Sequence, residues 1–231
     1  MRKSRGSLNE QTGRMLNSHN SAANAATLES VRCCYLTLCV EFLREIGLGV
    51  HFRRGASGFC PGVDISNGQL MIDPEVAYAS VVLHEAGHLA IVPDRYRSLL
   101  QSNVDEGVNA MLEEVCSMGL PPDHPLYRAA IQTSDPEATA WAWAAGTHLG
   151  LPGPEIIRDD EYDGGGAEIR LMLAAGRYLG IHGLAHAGFC HVPSYMARAN
   201  GIEAVFPRLR RWLQGGSELE VTESMESAIE A

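Results

Sequence analysis

The sequence predicts an α+β fold, predominantly helical, with one small antiparallel sheet packed beside a helix that carries two histidines. Three observations lead there. Apolar residues recur at spacings of three and four, first at Leu28, Val31, Tyr35, Leu38, Phe42 and Ile46, which is the period of one buried helical stripe. The stretch "VDISNGQLMID" puts Val63, Ile65, Leu70 and Ile72 at alternate positions on either side of Asn67-Gly68, the preferred two-residue type I′ hairpin turn. The stretch "LHEAGHLA", residues 83–90, sets His84 and His88 four apart inside an apolar helical pattern.

Composition sets the bounds. The chain has 231 residues, 45% hydrophobic and 20% charged, with a net charge of −10, values of a globular chain with room for one sizeable core. That charge argues against a nucleic-acid footprint. The basic, polar N-terminus lacks the apolar core of a secretory signal. The longest apolar run, "CCYLTLCV", is far too short to span a bilayer. A cytoplasmic protein with no membrane partner is expected. The six cysteines, Cys33, Cys34, Cys39, Cys60, Cys116 and Cys190, form no Cys-x-x-Cys pair and read as free thiols.

Residues 1–24 read as a flexible lead, 25–214 as a single domain and 215–231, acidic and poor in aromatics, as a disordered tail. A helix is expected from Ala25 to Ile46, then a β-like "GVHFRR", then the hairpin at 63–72. Asp73 is suited to cap the next helix and Pro74 to begin it. Pro93 ends it near Val92. Further helices are predicted over Val104–Met118, from Asp135 to about His148, over Ala167–Leu179 and over Pro193–Leu213.

On a helix, His84 and His88 project from one face and suit adjacent corners of a tetrahedral zinc site. Glu85 lies about 100° round from His84, off the ion but within reach of a water beside it. This is the division of labour in HExxH metallopeptidases. Val81, Val82, Leu83, Leu89 and Ile91 surround the pair, and buried polar groups need partners. Gly87 weakens the helix by about 1 kcal/mol relative to Ala, which makes sense where something approaches its backbone closely.

A catalytic zinc usually has three protein ligands. Glu113, Glu114, Asp135 and Glu137 are the candidates, with Glu137 preferred. It stands in the first turn of a helix with an exposed face of Ala138, Ala140, Ala142, Ala144 and Ala145, small enough for close packing. His148 is about 16 Å further along that helix and is not expected to ligate. His182 and His186, with His191 nearby, read as packing or hydrogen-bonding residues, as Trp141 and Trp143 read as packing residues. Tyr162, Tyr195 and His186 are candidates for an oxyanion donor.

The hairpin, "VVLHEAGHLA" and "EATAWAWAAGTHLGLP", spanning about residues 60–152, resemble the core of gluzincin-type zinc peptidases. The resemblance is to the ImmA/IrrE-like group, with its HExxH helix and later "E-A-x-x-F-A-x-x-L-L-x-P" helix; Trp141 stands where that pattern has Phe. It implies Zn2+ held by His84, His88 and Glu137, Glu85 as catalytic base, and a peptide or protein substrate. In such sheets an exposed edge strand binds an extended peptide by strand addition, and Gln69–Ile72 is the expected edge. The alternative is a non-catalytic regulator that binds a partner on the same fold, with zinc structural or absent. The sequence sets no oligomeric state.

Overall fold

The computed structural model describes residues 32–215. The lead at 1–24, the helix start expected at Ala25 and the tail from 216 lie outside the described residues. Helix α1 (residues 32–45) is followed by strands β1 (Val50–Phe52), β2 (Val63–Ser66) and β3 (Gln69–Ile72). Then come helices α2 (Ala79–Ile91), α3 (Val104–Ser117), α4 (Pro125–Ala130), α5 (Asp135–His148), α6 (Gly153–Ile156), α7 (Gly166–Ala174), α8 (Leu179–His186) and α9 (Tyr195–Ala199). The fold is α+β and predominantly helical, as predicted. Among the described residues no helix is long and apolar enough to cross a membrane.

The hairpin forms in the expected register, with Val63 opposite Ile72 and Ser66 opposite Gln69. Asn67 and Gly68 both take positive φ, 56° and 70°, as a type I′ turn requires. Two expectations are corrected. The sheet is mixed, because β1 pairs in parallel with β3. The strand order is β1-β3-β2, so Gln69–Ile72 is the central strand and not an edge. Leu70 and Ile72 are fully buried, and a strand that apolar gains most from neighbours on both sides.

Asp73 does not begin α2, which starts six residues later. Its carboxylate instead accepts from the backbone N–H of Glu75 at 3.0 Å and of Gly55 at 2.7 Å. The turn it closes packs on Gly62, where a Cβ would stand 2.6 Å from the Ala77 nitrogen. The C-terminal end of α2 is closed by distant groups. Arg97 Nε donates to the Leu89 carbonyl at 2.8 Å, and the Gln214 N–H to the Ala90 carbonyl at 2.8 Å.

Helix α2 packs chiefly on α5, and α5 on α8. At the first crossing, a Cβ on Gly87 would lie 2.6 Å from the Ala138 carbonyl oxygen and 3.0 Å from its Cα. The two backbones touch there, which is the reason for the glycine. At the second, Cβ atoms on Gly180 and Gly183 would fall 1.8 Å from the Pro136 carbonyl and 2.0 Å from a Glu137 carboxylate oxygen. The alanines of α5 are therefore not an exposed face: Ala138, Ala140, Ala142, Ala144 and Ala145 are all buried, because neighbours enclose the helix on every side.

Trp141 is fully buried and donates its indole N–H to the Trp212 carbonyl at 2.9 Å. Phe42 meets Trp212 edge to face at 5.0 Å, and His148 lies against both rings. The helix expected over Pro193–Leu213 is confined to α9. Gly201, at φ +65°, interrupts it, and the chain then buries Phe206 and seats Trp212 on Phe42 and Trp141 one at a time. Likewise the stretch Ala167–Leu179 stops at Ala174, and α8 starts anew after Gly176, at φ +70°.

Gly87→Ala raises helix propensity by about 1 kcal/mol but inserts a methyl into a backbone contact, an overpacking that costs about 1–3 kcal/mol. The expected outcome is a less stable protein, read as a lower urea midpoint at unchanged slope. A higher midpoint would mean that the two helices are not in contact.

Candidate metal centre

His84 and His88 stand on the buried face of α2, their rings edge to face at 4.9 Å. Their Nε2 atoms are 3.2 Å apart. Asp135 Oδ1, from the first turn of α5, lies 3.1 Å from His88 Nε2 and 3.7 Å from His84 Nε2. Atoms of these three residues lie within 4.8 Å of one another and can hold a metal ion. The histidines are largely enclosed, whereas the Asp135 side chain is 74% exposed, so the group opens on the aspartate's side. Hydrogen bonds to His84 and His88 hold the Asp135 carboxyl well below the usual carboxylate range.

The acid beside the imidazoles is thus Asp135, and Glu137 is not brought to them. The two are two residues apart, about 200° round the helix, so only one can face α2. Asp135, Ala138 and Thr139 share the face toward α2, which the Gly87–Ala138 contact fixes. Glu137 points the other way, buried, accepting a hydrogen bond from Ser134 and filling the space that Gly183 leaves. Ser134-x-x-Glu137 matches the capping-box pattern, but here the two side chains bond each other and cap no backbone N–H. Glu113 is exposed, and Glu114 pairs with the Tyr96 hydroxyl at 2.9 Å and with Arg95.

Glu85 is buried and lies within hydrogen-bonding reach of the Cys60 thiol. Burial, then the charge and hydrogen bond of Glu85, push that thiol up to about 11. It is a neutral thiol at neutral pH and not a thiolate. Cys60 sits in the loop between β1 and β2, twenty-five residues before Glu85, and nothing in the sequence pattern joins the two. Thr139 was legible in principle, one turn after Asp135 on the same face of α5.

Behind His84, the Tyr162 hydroxyl lies 3.2 Å from Nδ1 and 2.8 Å from Thr139 Oγ1. Burial of the phenol pushes its pKa up, although the residue as a whole is 39% exposed. Tyr162 and Asp163 both hold left-handed φ, 55° and 57°, at a cost of about 1–2 kcal/mol each for non-glycine residues. Such conformations persist where the surroundings over-determine them. Here Glu161 accepts from Ser80 of α2 at 2.6 Å and from the Arg158 N–H at 3.0 Å.

The remaining candidates lie elsewhere. His148 belongs to the aromatic cluster. His182 and His186 are exposed on α8, and the His186 carbonyl accepts from Arg128. His191 Nε2 stands 2.7 Å from Arg210. Tyr195 is 84% exposed on α9. No protein-family model, curated protein or solved structure matches this chain.

Because Cys60 is protonated up to about pH 11, it should alkylate slowly at pH 8, while the exposed Cys33, Cys34 and Cys116 react first. Its rate should climb steeply only as pH approaches 11. Glu85→Gln removes the charge and should speed the reaction at pH 8. Peptide mass spectrometry after timed iodoacetamide treatment measures this. A Cys60 as fast as Cys33 would contradict the placement.

Proposed function

We propose that this chain is a zinc-dependent hydrolase, a peptidase in which His84, His88 and Asp135 hold the ion and Glu85 is the general base. The observation that carries the reading is the convergence of two Nε2 atoms and one carboxylate oxygen on a single point. Ligand atoms at 2.0–2.2 Å from a tetrahedral zinc stand about 3.3 Å from one another. The separations here are 3.2, 3.1 and 3.7 Å, so the residues fit the ion. Two histidines and a carboxylate also suit Fe(II). Glu85, buried beside them in an apolar helix, favours hydrolysis, since it supplies the base that water activation needs.

When bound, zinc supplies a Lewis acid for a carbonyl and a water made acidic near neutral pH. The chain's residues do the rest. The imidazoles present bare nitrogens, and Asp135 offsets part of the cation's charge on the open side. Glu85 accepts the proton of the attacking water and returns it to the leaving nitrogen. The substrate class, a peptide or protein, and the likeness of residues 60–152 to the ImmA/IrrE-like core belong to the same proposal, now with Asp135 in place of Glu137 as the third ligand.

Metal analysis of the purified protein is expected to give about one zinc per chain. His84→Ala, His88→Ala and Asp135→Ala should each lower that content sharply. Glu137→Ala should keep the zinc and lose stability, about 1–3 kcal/mol for the partner left unpaired. Glu85→Gln should keep the zinc and slow peptide-library hydrolysis by a factor of about 10²–10⁴. Unchanged metal content in both histidine variants, or iron in place of zinc, would overturn the reading. Glu85→Gln with full activity would favour the non-catalytic alternative.

A further inference from the structure

We infer that Tyr162 is a positioning residue: its hydroxyl takes the Nδ1–H of His84 and, anchored by Thr139, fixes the tautomer that leaves His84 Nε2 bare toward His88 and Asp135. The inference rests on the metal reading for its purpose, though not for its geometry. A neutral imidazole carries one proton, and a ligating nitrogen must have none. A metal ion held between His84 Nε2, His88 Nε2 at 3.2 Å and Asp135 Oδ1 at 3.7 Å needs that nitrogen bare, which puts the proton on Nδ1. There the nearer partner is Tyr162 Oη at 3.2 Å, with Thr139 Oγ1 at 3.5 Å, and Tyr162 in turn has Thr139 Oγ1 at 2.8 Å. With that proton in place, Nδ1–H donates to the tyrosine oxygen, and the tyrosine and threonine hydroxyls share a second hydrogen bond in which either oxygen can donate. Thr139 is wholly buried, so its oxygen is a fixed anchor.

The segment that carries Tyr162 is built to hold it. The Arg158 guanidinium lies 4.0 Å over the ring of Tyr78, the residue that precedes α2. Glu161 reaches Ser80 in the first turn of α2. At Gly166 the chain passes so close to the Arg158 carbonyl that a Cβ would stand 1.8 Å from it. These ties deliver the hydroxyl through two residues in left-handed backbone. His88 is the internal contrast, since its Nδ1 is buried without a hydrogen-bond partner. Outer partners of ligating histidines set ring orientation and basicity, and their loss costs about 10–100-fold in metal affinity. Of the two histidines, His84 has that support and, among the described residues, His88 Nδ1 does not.

The test uses long-range 1H–15N correlations of histidine-labelled protein at pH 8, first without metal and then with zinc alone. His84 should be the Nδ1–H tautomer. In Tyr162→Phe, which keeps the ring, His84 should become a mixture of tautomers while His88 is unchanged, and zinc affinity should fall about 10–100-fold. Thr139→Ser should behave as the parent. Thr139→Val, which leaves Tyr162 in place, should shift His84 in the same direction. A Tyr162→Phe protein with unaltered His84 tautomer and zinc affinity overturns the inference. A parent protein that binds no zinc, yet shows the Nδ1–H tautomer lost in Tyr162→Phe, supports the positioning role and sinks the metal reading instead.

Discussion

The contact of two helix backbones at Gly87 and Ala138 is the constraint on which the rest of the arrangement depends. It sets how closely α5 approaches α2 and, because Asp135, Ala138 and Thr139 share a face, how α5 is turned about its axis. With Ala138 against Gly87, Asp135 and Thr139 fall on opposite sides of the two imidazoles, one toward Nε2 and one toward Nδ1. The second close approach, of Gly180 and Gly183 to the first turn of α5, stops that turn from sliding. Two glycines on α8 thus help to place an aspartate that neither touches.

What could be read from the sequence was local. The Asn67-Gly68 hairpin and the histidine pair on α2 follow from neighbours a few residues apart, and both form as read. The choice between Asp135 and Glu137 is not local. It depends on the rotational phase of α5, which contacts with α2 and α8 decide, and the one local sign was Ser134 three residues before Glu137. The same limit explains why Pro193–Leu213 is not one helix. Its apolar residues suit a helical period, but Phe206 is buried and Trp212 partly buried, each singly, beyond the break at Gly201. Cys60 could not have been found, because its nearness to Glu85 arises only when the loop between β1 and β2 folds back on α2.

The centre also balances charge. Buried carboxylates are costly unless partnered, and three acids, Glu85, Asp135 and Glu161, crowd the region around Cys60. Two have named partners: two imidazoles for Asp135, a serine hydroxyl and a backbone N–H for Glu161. The distribution keeps like charges apart while leaving Asp135 in contact with solvent.

The segment around residues 210–214 has a bearing on when, during synthesis, this arrangement becomes complete. The Arg210 N–H bonds the Phe189 carbonyl just after α8, the Trp212 carbonyl takes the indole of α5, and the Gln214 N–H bonds the Ala90 carbonyl of α2. One short stretch, late in the chain, is therefore stapled across the three helices that carry or place His84, His88 and Asp135. A ribosome-bound nascent chain would hold the histidine helix long before it holds its last staple. Until that stretch has emerged, the three helices lack these bonds, so their packing is complete only once residues 210–214 have folded back across them.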